Sequence, residues 1–190
     1  EIGVRLVGSE MCIRDRYFDL SIRRIEIKKP KRDLKPVIKL QDEVNKTLLH
    51  DEYYYPTDER TIQECLDGDY ILLGVYNKDK LIAASFAFEG GLFFSKPITD
   101  WMEIPGNKIM CHEFVVVDME YRGNGIQKRF MDATIREARQ MGYDTIWCCA
   151  HPNNTPSVCS IESTGYKFAD QFVVDGWPRN VYYRSTSIQR

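Results

Sequence analysis

Val115-Val116-Val117-Asp118-Met119-Glu120-Tyr121-Arg122-Gly123-Asn124-Gly125-Ile126-Gln127 carries an apolar strand through a short connector into a glycine-bearing loop and a helix. Where a strand ends and a helix begins, several backbone N–H groups lack intrahelical partners and converge on one point. Gly123 and Gly125 remove the side chains that would keep a phosphate oxygen away, and the helix dipole together with Arg122 favours negative charge. The expected ligand is a phosphate or pyrophosphate. A plain helix-start turn also satisfies Gly-x-Gly, so the flanking elements decide between the two.

Those elements support the anion site. The helix, read from about Gly123 to Met141, carries Ile126, Phe130, Met131, Thr134, Ile135, Ala138 and Met141 on one stripe, with Lys128, Arg129, Asp132, Arg136 and Arg139 opposite. It therefore packs on a sheet and holds the loop rigidly. Ile109 to Val117 and Thr145 to Ala150 flank it as strands, and strand–helix–strand in that order is a parallel crossover. Upstream, Leu20 to Ile27 reads as a strand closed by Pro30. Asp33 reads as the cap of a helix bearing Val37, Leu40, Val44 and Leu48, and a second helix runs from Thr57 or Asp58 to Leu66. Tyr70–Tyr76 and Leu81–Phe88 form an antiparallel hairpin across Asn77-Lys78-Asp79-Lys80, followed by a long loop to about Asn107. Downstream come a short helix at Thr155–Ser163 and strands at Phe168–Val174 and Val181–Arg184, joined by an Asp175-Gly176-Trp177-Pro178 turn.

A chain of 190 residues can bury a core without disulfide or metal support, and Lys+Arg 26 against Asp+Glu 28 leaves a net charge of -2. No global field points to nucleic acid or an anionic membrane, and no apolar run approaches the roughly 20 residues that span a bilayer. The cysteines Cys12, Cys65, Cys111, Cys148, Cys149 and Cys159 contain no CxxC pair, a usage that suits a reducing, cytoplasmic setting. Cys148, Cys149, His151 and Cys159 are not read as a metal site, because strand alternation sends Cys148 and Cys149 to opposite faces.

Val7–Arg16, Val-Gly-Ser-Glu-Met-Cys-Ile-Arg-Asp-Arg, is similar to a translated transposase sequencing adapter and has neither a sustained period nor framing turns. Residues 1–16 are set aside as foreign to the fold, and 17–190 are read as one domain.

Arg122, Gly125 and the connector Asp118–Tyr121 resemble the signature of the GNAT acyltransferase superfamily, Arg/Gln-x-x-Gly-x-Gly/Ala after a strand. The segment from Asn154 through a short helix to Gly165-Tyr166 resembles the family's second motif. The resemblance covers about Lys108 to Tyr166. It implies an α/β fold with a mixed, mostly antiparallel sheet, a central parallel strand pair splayed around the cofactor, and helices on both faces. It also implies acetyl-CoA or another acyl-CoA, with pyrophosphate on Arg122, Gly123, Asn124, Gly125, Ile126 and Gln127. Pantetheine would pair like a strand with Val115, Val116 and Val117, and Asn154 would bond its arm. Gln127 stands where the family has Gly or Ala, and Ile161 stands where many relatives place a tyrosine acid.

The implied reaction is transfer of an acetyl or other acyl group to a primary amine by direct attack in a ternary complex. A lysine-like amine with pKa near 10.4 is neutral in only about one molecule in 10³ at pH 7, so a base helps. Glu113, in the apolar strand and read as sharing a face with Val115 and Val117, is the candidate general base; pairing with a buried Arg or Lys for structure is the alternative. His112 reads as a core histidine and His151 as a weaker base. The Val115 backbone N–H is the candidate oxyanion donor, and a covalent route through Cys111 or Cys149 has no thiolate-stabilising neighbour to support it.

The acceptor, a small amine or a peptide, is expected near Tyr53-Tyr54-Tyr55, the Phe93–Trp101 loop and Trp177. A monomer or homodimer without nucleic-acid or membrane partners is expected. The rival readings are an acyl-CoA-binding module without catalysis, prompted by Ile161, and a nucleotide-phosphate-binding protein. The latter lacks both the Lys-Ser/Thr ending of a P-loop and the glycine that would complete a dinucleotide fingerprint.

Overall fold

The computed structural model describes residues 21–24, 34–90, 92–93, 96–100 and 102–187. Residues 1–16, the Asp33 cap and the ends of the first strand lie outside them. The described chain runs β1 (Ser21–Arg24), α1 (Lys35–Asn45), α2 (Glu59–Cys65), β2 (Tyr70–Asn77), β3 (Lys80–Glu89), β4 (Leu92–Phe93), β5 (Lys96–Pro97) and β6 (Ile109–Val117). It continues through α3 (Ile126–Gln140), β7 (Thr145–Ala150), α4 (Thr155–Ser163), β8 (Lys167–Val174) and β9 (Trp177–Ser185). Seven strands form one sheet in the order β1-β2-β3-β6-β7-β9-β8, and β4 pairs with β5 in a small ribbon inside the long loop.

Every pairing in the large sheet is antiparallel except β6 with β7. This is the parallel pair implied by the crossover, and α3 is the crossover helix. The parallel ladder is short: Ile109 faces Thr145, Met110 faces Ile146 and Cys111 faces Trp147, and there it stops. From His112 to Val117 the β7 side of β6 has no strand beside it among the described residues, so its main-chain groups on that side are left for another partner.

Helices cover both faces. On one, α3 and α4 lay Ile126, Phe130, Met131, Ile135, Ala138 and Ile161 against Met110, Ile146, Cys148 and Tyr182. Side chains of this size contribute roughly 1.5–3 kcal/mol each when fully buried, which anchors the helix that carries the glycine loop. The other face is covered in two parts. Leu34, Val37, Leu40 and Val44 with Ile62 and Leu66 of the α2 region pack on Phe86, Phe114 and Val116. Ile98 and Ile104 of the long loop pack on Cys111, Trp147 and Val181. Among the described residues no helix is long and apolar enough to cross a membrane.

Helix α1 ends at Asn45, so Leu48, read as part of its apolar stripe, lies outside it, and β2, β3 and β8 differ by a residue at one or both ends; two further differences have a backbone cause. Helix α3 starts at Ile126 rather than Gly123, because Gly123 and Gly125 both have positive φ (81° and 67°) and cannot belong to a right-handed turn. Strand β9 starts at Trp177, because Asp175 and Gly176 alone make the reversal with φ 51° and 84°.

Gly106 marks a close approach in the loop before β6. At φ 122° a Cβ there would lie 2.9 Å from the Asp144 Cβ and 3.0 Å from the Thr145 hydroxyl oxygen. Gly106→Ala is expected to destabilise the fold by about 2–4 kcal/mol, from backbone strain plus the clash. Thermal or urea denaturation measures it, and a change under 0.5 kcal/mol would show that the loop yields freely.

Candidate active site

The register between β3 and β6 slips at one residue. Phe86 faces Phe114 and the next residue, Ala87, faces His112, so Glu113 is the extra residue of a β-bulge. The bulge re-aims it. Val115 and Val117 pack toward α3, whereas Phe114 and Val116 pack toward α1. Glu113 joins the α1 side, where Thr57 meets it. The shared face with Val115 and Val117 expected from simple alternation is therefore lost, because one inserted residue inverts the period.

Glu113 sits at the seam between the two apolar clusters of that face, with Phe114 in one and Cys111 in the other. Its Oε1 accepts from Thr57 Oγ1 at 3.0 Å, and its Oε2 faces the Cys111 thiol at 3.6 Å. Among the described residues no Lys or Arg pairs with it, so the structural ion pair weighed as an alternative is not formed. Solvent reaches the side chain, yet protein crowds it from most directions, which places the carboxylate in a recess. Desolvation raises its pKa above the usual carboxylate value, and the Thr57 and Cys111 hydrogen bonds partly oppose the rise.

Thr57 is itself clamped. Gln41, on α1 and 1% exposed, donates from Nε2 to the Thr57 carbonyl at 3.2 Å and accepts the Thr57 N–H at 3.2 Å through Oε1. The Tyr54 hydroxyl donates to that same Oε1. Burial, and then the charge of Glu113, push the Tyr54 phenol up and the Cys65 thiol up to about 11. Gln41 and Thr57 escaped the sequence reading because they stand 16 and 56 residues from their partners, with no motif between them.

His112 lies on the face opposite Glu113, buried, with Nε2 2.7 Å from the Ser85 hydroxyl. Burial pushes its pKa down to about 4, so it stays neutral near pH 7. His151, just past β7, is buried; its Nδ1 accepts from the Asn153 N–H at 3.2 Å and its ring lies 5.2 Å from that of Tyr53. Tyr53 thus reaches the site, while Tyr55 and Trp177 are exposed, and the side chains of Phe93 and Trp101 lie outside the described residues.

The glycine loop matches its sequence reading in outline. Asp118 caps a single turn at Met119–Tyr121, Arg122 is extended, and Gly125 caps α3 with φ 67° and no side-chain cap. Arg129 N–H to Gly125 O is the first bond of the α3 ladder at this end, so the donors before it have no partner within the helix. A Cβ on Gly123 or Gly125 would meet nothing within 4 Å, so the space beside both is open.

The polar side chains around the loop serve mainly to brace it. Arg122 donates from Nε to the Val117 carbonyl at 3.1 Å and from Nη2 to Thr47 Oγ1 at 3.2 Å. Asn124 Nδ2 donates to the Tyr121 and Arg122 carbonyls at 3.0 and 3.3 Å. Gln127 Nε2 donates to Ser157 Oγ at 3.1 Å, which ties α3 to α4. Asn154 caps α4 by accepting the Ser157 N–H at 3.4 Å, and its Nδ2 faces the Tyr53 carbonyl at 3.5 Å. Ile161 is 2% exposed in the core, and the Ser160 hydroxyl turns back to the Pro156 carbonyl. Cys149, on β7 past the end of the parallel ladder, is exposed, while Cys148 is buried. Cys65, Cys111, Cys148, Cys149 and Cys159 are free thiols.

With this geometry in view, the comparisons with known proteins agree. Residues 38–166 match the Acetyltransferase (GNAT) family. No curated protein sequence matches the chain. Among solved structures, the ribosomal-protein-S18-alanine N-acetyltransferase of Escherichia coli is similar with TM-score 0.62 and 16% identity, over 90% of this chain and 96% of that one. An N-acetyltransferase of Staphylococcus aureus Mu50 is similar with TM-score 0.66 and 16% identity, over 90% and 100%. A chain of the NatC complex bound to Gag peptide and CoA is similar with TM-score 0.66 and 10% identity, over 88% and 99%. At such identities these neighbours speak for the fold, and the family match spans more than half of the chain. A bulged strand, a glycine loop at a helix start and a parallel pair that parts beside them thus occur on a sequence that belongs to the GNAT acetyltransferase family.

Proposed function

We propose that the chain transfers an acetyl or other acyl group from acyl-CoA to a primary amine, by direct attack in a ternary complex, in the cytoplasm. The observation that carries this reading is the parting of β6 from β7 after Cys111 and Trp147, with the α3 N-terminus at one end of the gap and Glu113 beside it. The residues fit the cofactor. Open space beside Gly123 and Gly125, and a helix start without a side-chain cap, suit a pyrophosphate held by the N–H groups of Gly123, Asn124, Gly125, Ile126 and Gln127. The main chain of Val115, Val116 and Val117, without a strand on its β7 side, suits the amides of a pantetheine arm. Arg122 braces the loop and adds positive charge; Asn154 stands at the α4 start. The solved NatC neighbour holds CoA and a peptide, which supports the same pair of ligands here.

Acyl-CoA supplies the thioester. Glu113, with its pKa raised by burial, takes the proton from the incoming ammonium. The Val115 N–H meets the charge that develops on the carbonyl oxygen, a donor fixed by the strand before the reaction starts; as the C–N bond forms the C–S bond breaks, and CoA leaves as a thiolate that takes its proton from solvent. Desolvation raises the Glu113 pKa, and Thr57 moderates the rise. Its hydrogen bond favours the charged carboxylate, so Thr57→Val raises the Glu113 pKa further and moves the rising limb of the pH–rate profile to higher pH. On the rising limb of the profile the rate is expected to fall roughly 3- to 10-fold at a given pH, and Thr57→Ser to restore it. An unmoved profile would detach Thr57 from the base.

Acceptor-dependent CoA release from acetyl-CoA, with mass detection of the acylated amine, tests the function. Release with at least one amine is expected. CoA binding without release for every amine would favour the non-catalytic binding module, and competition by ATP but not by CoA would favour a nucleotide site.

A further inference from the structure

The β7–β9 ladder ends with Ala150 facing Asn180; His151 follows β7 directly and Arg179 is the β9 residue next to Asn180, and the Arg179 charge acts on His151. Cys149, Val181 and Trp147 lie on the face that also holds Cys111, and alternation puts Arg179 and His151 on it too. This is the face onto which the bulge turns Glu113.

Arg179 is 9% exposed, yet its guanidinium makes a single hydrogen bond, from Nη1 to the Pro178 carbonyl at 3.2 Å. Among the described residues no Asp or Glu pairs with it. A permanently charged fork taken from water without a carboxylate is costly unless something else supplies the anion. Its other nitrogens do not figure among the sealed, unpartnered polar atoms, so they still reach open space. The Cys149 thiol of this face feels both groups: burial first, and then Glu113, push its pKa up, while Arg179 pulls it down. His151, with Nδ1 accepting from Asn153, carries its proton on Nε2, and its pKa is lowered by burial and then by the charge of Arg179.

On the transferase reading given above, we propose that Arg179 is the carboxylate-binding element of the acceptor pocket, and that the preferred acceptors are primary amines that also carry a carboxylate. The amine then lies toward Glu113 and the carboxylate toward Arg179. Where the ladder holds, β6 and β9 are two strand spacings apart, about 10 Å; past Cys111 and Trp147 β6 draws away from β7, so the span is wider there, and the two side chains close part of it. Acceptors with the carboxylate a few bonds from the nitrogen, such as β-alanine or 4-aminobutyrate, match it.

Matched pairs test the proposal on the wild-type chain: β-alanine against propylamine, 4-aminobutyrate against butylamine, and alanine against alaninamide. CoA release is expected to favour the carboxylated partner in kcat/KM by at least tenfold in one pair or more. Arg179→Gln is expected to cut that preference about 10- to 100-fold through KM, and Arg179→Lys to keep part of it. Equal use of both members of every wild-type pair, or loss in Arg179→Gln that is the same for both members, would overturn the proposal. If wild type releases no CoA with any amine, the transferase reading fails. Calorimetry of 4-aminobutyrate against the CoA-loaded chain then decides the pocket: weaker binding in Arg179→Gln supports it, and absent or unchanged binding overturns it.

Discussion

Gly125→Val is expected to weaken CoA binding at least 100-fold, about 3 kcal/mol, while the chain still folds. Gly125 holds φ 67° at the α3 N-cap, a conformation that costs an L-residue roughly 1–2 kcal/mol and a β-branched one more. The valine side chain either occupies the open space beside the loop or drives the backbone out of the left-handed region, and both displace the N–H groups of the first turn. The core does not depend on this position, because Phe130, Met131, Ile135 and Ala138 anchor α3 further along. Isothermal calorimetry reads the affinity and thermal denaturation reads the fold. Undiminished CoA affinity in a folded variant would remove the loop as the cofactor site.

Glu113→Gln is expected to lower kcat at pH 7 by about 10²-fold or more, the usual contribution of a positioned base. The deficit should shrink as pH approaches the amine's own pKa of about 10, where the acceptor arrives already neutral. The KM for acetyl-CoA should hold, because the carboxylate faces α1 and Thr57 rather than the glycine loop. Stability should move the other way. The folded-state pKa of Glu113 is raised, so its contribution to stability is fully present below the unfolded value and is lost as pH rises through the folded one. Glutamine has no such loss. The variant should melt higher than wild type near pH 7, with the difference closing toward about pH 4. An unchanged pH–rate profile would exclude Glu113 as the base.

The parts of this account that were legible in the sequence are those written in local periodicity. The apolar run of β6, the broad stripe of α3 and the two glycines before it suffice for a strand–loop–helix unit, and the parallel β7 follows from the crossover. The bulge was not legible. A one-residue slip against β3 leaves no local mark, yet it turns Glu113 to the opposite face and gives it surroundings that simple alternation does not imply. Thr57, Gln41 and Arg179 were missed for a related reason. Each acquires meaning only from a partner or an opening supplied by a distant part of the chain: Glu113 for Thr57, the Tyr54–Thr57 segment for Gln41, the end of β7 for Arg179. Asn154 and Gln127 were legible as positions, but both side chains turn out to join helices and loops to one another.

The central claim is that the gap between β6 and β7, closed at one end by the α3 N-terminus, holds acyl-CoA beside Glu113. A crystal structure of the chain with CoA tests it most directly. The expected density places pyrophosphate oxygens within hydrogen-bond distance of the N–H groups of residues 123–127, the pantetheine arm along Val115–Val117, and the thiol next to the recess of Glu113. CoA bound on another face, or a phosphate group in the loop with the pantetheine directed away from β6, would contradict it.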